Sequence, residues 1–241
     1  NAHDVEVLLG NYSGTPSHAM TPLEGLRALA PDGCQVRYAR GCTVTGESMI
    51  GFKEALETAR ASEVIIACVG LSQEVEGEEG ASKSADREDL TLPGAQEALL
   101  QALHGTGKPL IVVLLNGSAV AVNWAAQHAN AILEAWYPGE EGGAAIAEAL
   151  LGRYNPGGRL PVTFYKDVEQ LPPFTEYAME AGFTYRYFRG EPLYPFGYGL
   201  SYTTFAYSDL RLPETVTAGE EIILRATVRN TGEIAGDEVT Q

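Results

Sequence analysis

Two stretches of this chain, Leu110 to Leu115 and Ile132 to Trp136, are apolar at nearly every position. A strand with one wet face alternates apolar and polar residues, whereas a near-continuous run of strand length belongs in the middle of a sheet covered on both faces. That feature excludes an open antiparallel sheet and calls for helices on either side. The surrounding pattern supplies them. Strand-like Val5 to Leu9 leads to helical Pro22 to Leu29, and Gln35 to Tyr38 leads to Gly51 to Ala61. Val64 to Val69 leads to Gly94 to Leu103, and Gly143 to Leu151 follows the last apolar run. Alternation of this kind predicts parallel strands with crossover helices, an α/β fold with a doubly wound, mostly parallel sheet. Thr21-Pro22 and Leu92-Pro93 place an N-cap residue or a helix-compatible proline at two of the helix starts.

After Tyr154 the character changes. Asn155-Pro156-Gly157-Gly158 is a turn cluster, and residues 164–207 hold 14 of the 19 Phe and Tyr residues, so that segment wraps over the domain rather than alternating. From Phe205 the pattern has period two, with Ile222, Leu224, Ala226 and Val228 on one face and Asn230-Thr231-Gly232 as a turn. The reading is residues 1–204 as an α/β sandwich with an aromatic-rich linker, and residues 205–241 as the first strands of a truncated β-sandwich. Both ends look cut from a longer protein.

Charge narrows the partners. With 16 basic and 32 acidic side chains the net charge is −16, which repels phosphate backbones and anionic headgroups, so nucleic acid and membrane surfaces are poor partners. No apolar run approaches the ~20 residues of a membrane-spanning helix. Cys34, Cys42 and Cys68 form neither a CxxC pair nor a set with nearby histidines, and are read as structural. His3, His18, His104 and His128 lack metal spacing. Ser118 and Ser201 lack the Gly-x-Ser-x-Gly elbow of a serine hydrolase. Gly139-Glu140-Glu141-Gly142-Gly143 opens a helix as phosphate loops do, but it has no lysine and carries carboxylates where a phosphate would sit, so it reads as a backbone turn. No metal or organic cofactor is implied.

The chemistry is concentrated after Val64 to Val69, since ligands of open α/β sheets bind beyond the carboxyl ends of strands. There, Glu74, Glu76, Glu78 and Glu79 crowd one loop, followed by Asp86-Arg87. In an extended segment Glu74, Glu76 and Glu78 would share one side, and their repulsion would raise a carboxyl pKa toward the range a general acid needs. The competing reading is a solvated acidic loop.

Seven blocks in order bear on that choice: GLSQEVEGEE (70–79), ADR (85–87), LTLPGAQEALL (90–100), WYPGEEGGAAIAEALLG (136–152), NPGGRLPVTFY (155–165), TYRYF (184–188) and YPFGYGLSYTTF (194–205). Together they resemble glycoside hydrolase family 3, the last block being typical of its link into a fibronectin type III-like domain. The resemblance implies a retaining β-glycosidase, of β-glucosidase or β-xylosidase rather than hexosaminidase type. Its substrate would be an oligosaccharide or aryl β-glycoside, and its aspartate nucleophile would lie in a preceding (β/α)8 barrel. Ser208-Asp209-Leu210 is the string nearest to the family's nucleophile motif, but its place in the sandwich remnant disqualifies it. The acid/base glutamate maps to the Glu-x-Glu of the acidic loop, with Glu78 as first choice, Glu76 as second, and Glu79 or Glu74 behind them. Asp86 and Arg87 are read as an ion pair anchoring the loop, and as the candidates for a sugar contact. Tyr185, Tyr187 and Phe188 could line a sugar-binding rim, although core packing is the preferred reading. The alternative function is a non-catalytic carbohydrate-binding or scaffolding module descended from such an enzyme.

Overall fold

The computed structural model describes residues 1–10, 13–76 and 87–240. In chain order the main elements are α1 (Pro22–Leu29), α2 (Phe52–Arg60), β1 (Ile65–Gly70), α3 (Gln96–His104), β2 (Leu110–Leu115), α4 (Asn123–His128), β3 (Ala131–Glu134), α5 (Gly142–Leu150), β4 (Phe205–Arg211) and β5 (Arg225–Asn230). Strands β1, β2 and β3 form a parallel sheet in that order, with Gly70 opposite Leu115 and Leu114 opposite Glu134.

Strand alternation sorts the core into two layers. Ile65, Ala67, Val69, Leu110, Val112 and Leu114 face α2, α3 and α4, which contribute Ala55, Ala59, Leu99, Leu100, Leu103 and Ala125. Val113 and Leu115 face the other way, with Ile66, Cys68 and Leu133 beside them, and meet Ile146 of α5 together with Val7 and Leu8. Both faces of β2 are therefore dry, which explains its uninterrupted apolar sequence. At about 25 cal/mol per Å² of apolar surface, each fully buried Leu or Val contributes roughly 1.5–3 kcal/mol.

Helix α1 starts as expected. Thr21 takes the Glu24 amide on its hydroxyl while the Glu24 carboxylate accepts from the Thr21 amide at 2.8 Å, and Pro22 fills the first turn. This helix packs on α5 with almost no space between the backbones. A Cβ on Gly25 would fall on the Gly143 carbonyl, and one on Gly143 would fall on the Thr21 carbonyl.

Several expectations are corrected. Val5 to Leu9 is not a strand: Glu6–Leu8 is a 3₁₀ turn whose Val7 and Leu8 are buried by packing on the sheet rather than by joining it. A short apolar run fits either outcome. Gln35 to Tyr38 forms no ladder, because only Val36 within it is even half-buried, and a cleft of about 610 Å³ is lined by this segment and β1. Helix α3 begins at Gln96 rather than Gly94, whose φ of 61° is left-handed. The second apolar run, Ile132 to Trp136, stops pairing at Glu134, and Trp136 turns to a φ of 54°. Tyr185 does not pack in the core: it is 58% exposed, with its ring stacked on Phe196 at 4.1 Å. Cys34 is exposed, while Cys68 is buried deeply enough that its thiol is pushed up to about 11.

Strands β4 and β5 pair antiparallel, with Phe205 opposite Asn230, and their side chains are largely exposed. No helix among the described residues is long and apolar enough to cross a membrane.

Candidate active site

Three chain segments leave the carboxyl ends of β1, β2 and β3 side by side. The β1 exit is fixed first. Gly70, at a φ of 137° and with no room for a Cβ against the Leu115 carbonyl, is clasped by the buried Gln96 side chain. Gln96 Oε1 accepts from the Gly70 amide at 2.8 Å, and its Nε2 donates to the Gly70 carbonyl at 2.7 Å and to the Val44 carbonyl at 2.8 Å. The Leu71 amide then donates to the Leu115 carbonyl at 2.7 Å, so the loop starts against the end of β2.

The loop does not run extended. The Val75 and Glu76 amides both donate to the Ser72 carbonyl, at 2.9 and 3.0 Å, closing a turn. Glu74 and Glu76 therefore do not share one side in the manner of a strand. Glu76 instead turns inward, its side chain 10% exposed. Its Oε2 accepts from the Gly117 amide at 2.7 Å and from the Tyr137 hydroxyl, and its Oε1 accepts from the Ser118 hydroxyl. Gly117 has to be glycine for this approach, since a Cβ would lie 2.8 Å from the Tyr137 ring and 3.2 Å from the carboxylate. Burial, the hydrogen bond to Glu76 and the charge of that carboxylate all raise the Tyr137 phenol above its ordinary value.

Arg87 closes the far side. Its Nη1 lies 3.8 Å from Glu76 Oε1 and donates to Ser118 Oγ at 2.9 Å and to the Ala119 carbonyl at 3.4 Å. Burial lowers the guanidinium from its usual range, with Glu76 and Asp89 opposing. Among the described residues, Arg87 pairs with Glu76. Asp86, Glu78 and Glu79 lie outside the described residues.

Behind this cluster sits a second carboxyl. Glu134 Oε1 accepts from the Trp136 amide at 3.0 Å and Oε2 from Asn116 Nδ2 at 3.3 Å, and the same Nδ2 donates to the Ser118 carbonyl at 3.0 Å. Burial pushes the Glu134 carboxyl up to about 7; the hydrogen bonds from Trp136 and Asn116 pull the other way, and the charge of Glu76 adds a little to the rise. Among the described residues, no group of three or more His, Cys, Asp or Glu side chains is placed to hold a metal ion.

Sequence reasoning found the loop but missed Gly117, Ser118, Glu134 and Tyr137 as its partners. The usable signal was positional: all four lie at or just beyond the ends of β2 and β3, where sites of open α/β sheets collect.

This arrangement belongs to a known lineage. A profile described as the glycosyl hydrolase family 3 C-terminal domain matches residues 1–202. The chain belongs to that family. It is 41% identical over 241 residues to a β-xylosidase of Formosa agariphila, covering 97% of this chain and 32% of the relative. It is 36% identical over 269 residues to a periplasmic β-glucosidase of Salmonella typhimurium, covering 97% of this chain and 34% of the relative. Among solved structures, a β-glucosidase from Erythrobacter marinus superposes with a TM-score of 0.80 at 36% identity, over 95% of this chain and 34% of that one. A family 3 exo-β-xylosidase in complex with a xylobiose aziridine probe gives 0.79 at 33% identity, over 96% and 33%. The chain thus spans about a third of the length of the relatives it matches.

Proposed function

We propose that this chain is part of a retaining β-glycosidase acting on terminal non-reducing β-linked glucosides or xylosides. In this reading it lends the acid/base glutamate to a site completed by a (β/α)8 barrel that carries the nucleophile. Residues 205–241 open a fibronectin type III-like sandwich. Retaining hydrolysis requires two carboxyl groups ~5–5.5 Å apart, one attacking the anomeric carbon and one protonating the departing oxygen and later deprotonating water. The chain supplies the second.

The observation that carries the reading is the acidic loop itself, which leaves β1 at the sheet's carboxyl edge and is tied through Glu76 to the ends of β2 and β3. The same observation favours Glu78 over Glu76 as acid/base. Both Glu76 oxygens take hydrogen bonds from the strand ends, so neither is offered outward to a glycosidic oxygen. Relatives named as β-xylosidases and β-glucosidases support the substrate class.

The test is Glu78→Ala in the full-length enzyme. Hydrolysis of natural disaccharides falls by ~10² to 10⁴, activated aryl glycosides suffer less, and azide restores turnover as a β-glycosyl azide. Azide rescue in Glu76→Ala and not in Glu78→Ala moves the role to Glu76; rescue in neither removes the acid from this loop.

A further inference from the structure

We propose that the cavity bounded by residues 170–172, 180–182 and 187–190 binds a neutral pyranose through Glu180, Tyr187 and Arg189. The cavity measures about 490 Å³ and shares no residue with the cluster around Glu76. That volume suits a small ligand. Its walls are fixed by contacts made outside it. Gln170 Oε1 accepts from the Lys166 amide at 2.7 Å while Nε2 donates to the Glu191 carbonyl at 3.2 Å, so one side chain ties the first wall to the third. The second wall is held where the Phe183 amide donates to the Met179 carbonyl at 3.2 Å and the Thr184 amide to the Tyr165 hydroxyl at 3.0 Å. Phe188 stands edge-on to the buried Tyr165 ring at 5.0 Å, and Gly190 lies so close that a Cβ there would fall 2.5 Å from the Phe188 ring. Both Tyr187 and Phe188, the rim candidates of the sequence, are half-buried and line this cavity.

The chemistry of the lining selects the ligand. Among the described residues, the Glu180 carboxylate, the Tyr187 hydroxyl and the Arg189 guanidinium take part in no hydrogen bond or ion pair, whereas both ends of Gln170 are occupied by the backbone. Leu171, Pro172 and Phe188 add apolar surface beside them. A carboxylate only accepts hydrogen bonds, a guanidinium only donates them, and a phenol does either. Neighbouring hydroxyls of one sugar ring answer all three, since each hydroxyl both donates and accepts, and the C–H faces of the ring suit the apolar part. Apolar walls with a few convergent polar groups are the ordinary make-up of a small-ligand site. One acidic and one basic side chain leave the lining without net charge, so a phosphate would meet Glu180 and an amine would meet Arg189. A neutral polyol meets neither penalty. Its hydrogen bonds to the two charged groups are of the stronger, charge-assisted kind.

The test is a titration of the isotope-labelled 241-residue chain with methyl β-D-xylopyranoside and with methyl β-D-glucopyranoside, followed through its amide resonances. Those of Gly182 and Gly190 move while those of β1, β2 and β3 stay, with half-saturation on the order of 1–10 mM for so small a ligand. Glu180→Ala and Arg189→Ala change exposed side chains that hold nothing else in place, and each raises half-saturation about fivefold or more. Tyr187→Phe keeps the ring and raises it about threefold. No movement at roughly ten times the expected half-saturation overturns the site. Movement that none of the three substitutions weakens overturns the assignment to these side chains. Tighter binding of methyl β-D-glucuronide than of the neutral glycosides overturns the choice of a neutral sugar, because Arg189 then serves an anion. The acid/base reading fails or stands separately, on the turnover of Glu78→Ala and Glu76→Ala.

Discussion

Glu134 is a carboxyl that folding holds against its nature, and replacing it with glutamine isolates that cost. Glu134→Gln keeps the shape and an oxygen for the Trp136 amide, and removes the charge. The ordinary value of 4.5 and the folded value of about 7 set the window. Below pH 4.5 both folded and unfolded chains carry the proton and the group is neutral to stability. Between 4.5 and 7 the unfolded chain releases its proton while the folded one retains it, so stability falls as pH rises, and above 7 the loss is complete. At about 1.36 kcal/mol per decade, a rise of this size corresponds to a cost on the order of 3 kcal/mol at pH 8. Urea unfolding followed by the fluorescence of Trp124 and Trp136, at steps from pH 5 to pH 8, measures the difference between variant and parent. The expected difference is small at pH 5 and grows to on the order of 3 kcal/mol in favour of glutamine at pH 8. A difference that stays flat with pH, or a glutamine variant less stable at pH 8, refutes desolvation as the cause.

Two further perturbations probe the frame that carries the site. Gln96→Leu strips partners from the Gly70 amide, the Gly70 carbonyl and the Val44 carbonyl at once, and at roughly 1–3 kcal/mol per orphaned group it costs about 2–4 kcal/mol in urea unfolding after partial relaxation; a cost under about 1 kcal/mol contradicts the clasp. Gly25→Ala gains about 1 kcal/mol of helix propensity but drives a Cβ into the Gly143 carbonyl, so α1 and α5 must part and the melting temperature falls by several degrees, whereas a rise would show that the helices can separate without loss.

How far the sequence reveals this molecule depends on whether a feature is local. Leu110 to Leu115 is legible as a doubly covered strand because burial on both faces leaves no polar position in it. Thr21-Pro22 is legible because a capping box is satisfied within four residues. Val5 to Leu9 is not, since its apolar side chains are buried either way, and only the surrounding structure decides whether the backbone pairs or curls. Helix α4, Asn123–His128, escapes notice because it is short, buries Ala125 alone among its residues, and follows directly on an apolar stretch. Ser118 is a subtler case: it fails as a nucleophile for want of an elbow, yet its hydroxyl accepts from Arg87 and donates to Glu76, contacts that no local pattern announces.

The raised carboxyl shows the same division. Spacing of two along an acidic run is a local reason to expect like-charge repulsion, and it would hold if residues 74–76 were extended. The turn closed on the Ser72 carbonyl removes that geometry, and the inward Glu76 is answered by donors from two other strand ends. The carboxyl that is lifted to about 7 is Glu134, in an apolar run where a lone glutamate carries no sign of unusual chemistry. Its lift comes first from lost water, which depends on what the rest of the chain packs around it, and the negative charge of Glu76 enters as a smaller contribution. The negative charge of Glu76 thus reaches Glu134 across the sheet edge, from one strand end to another.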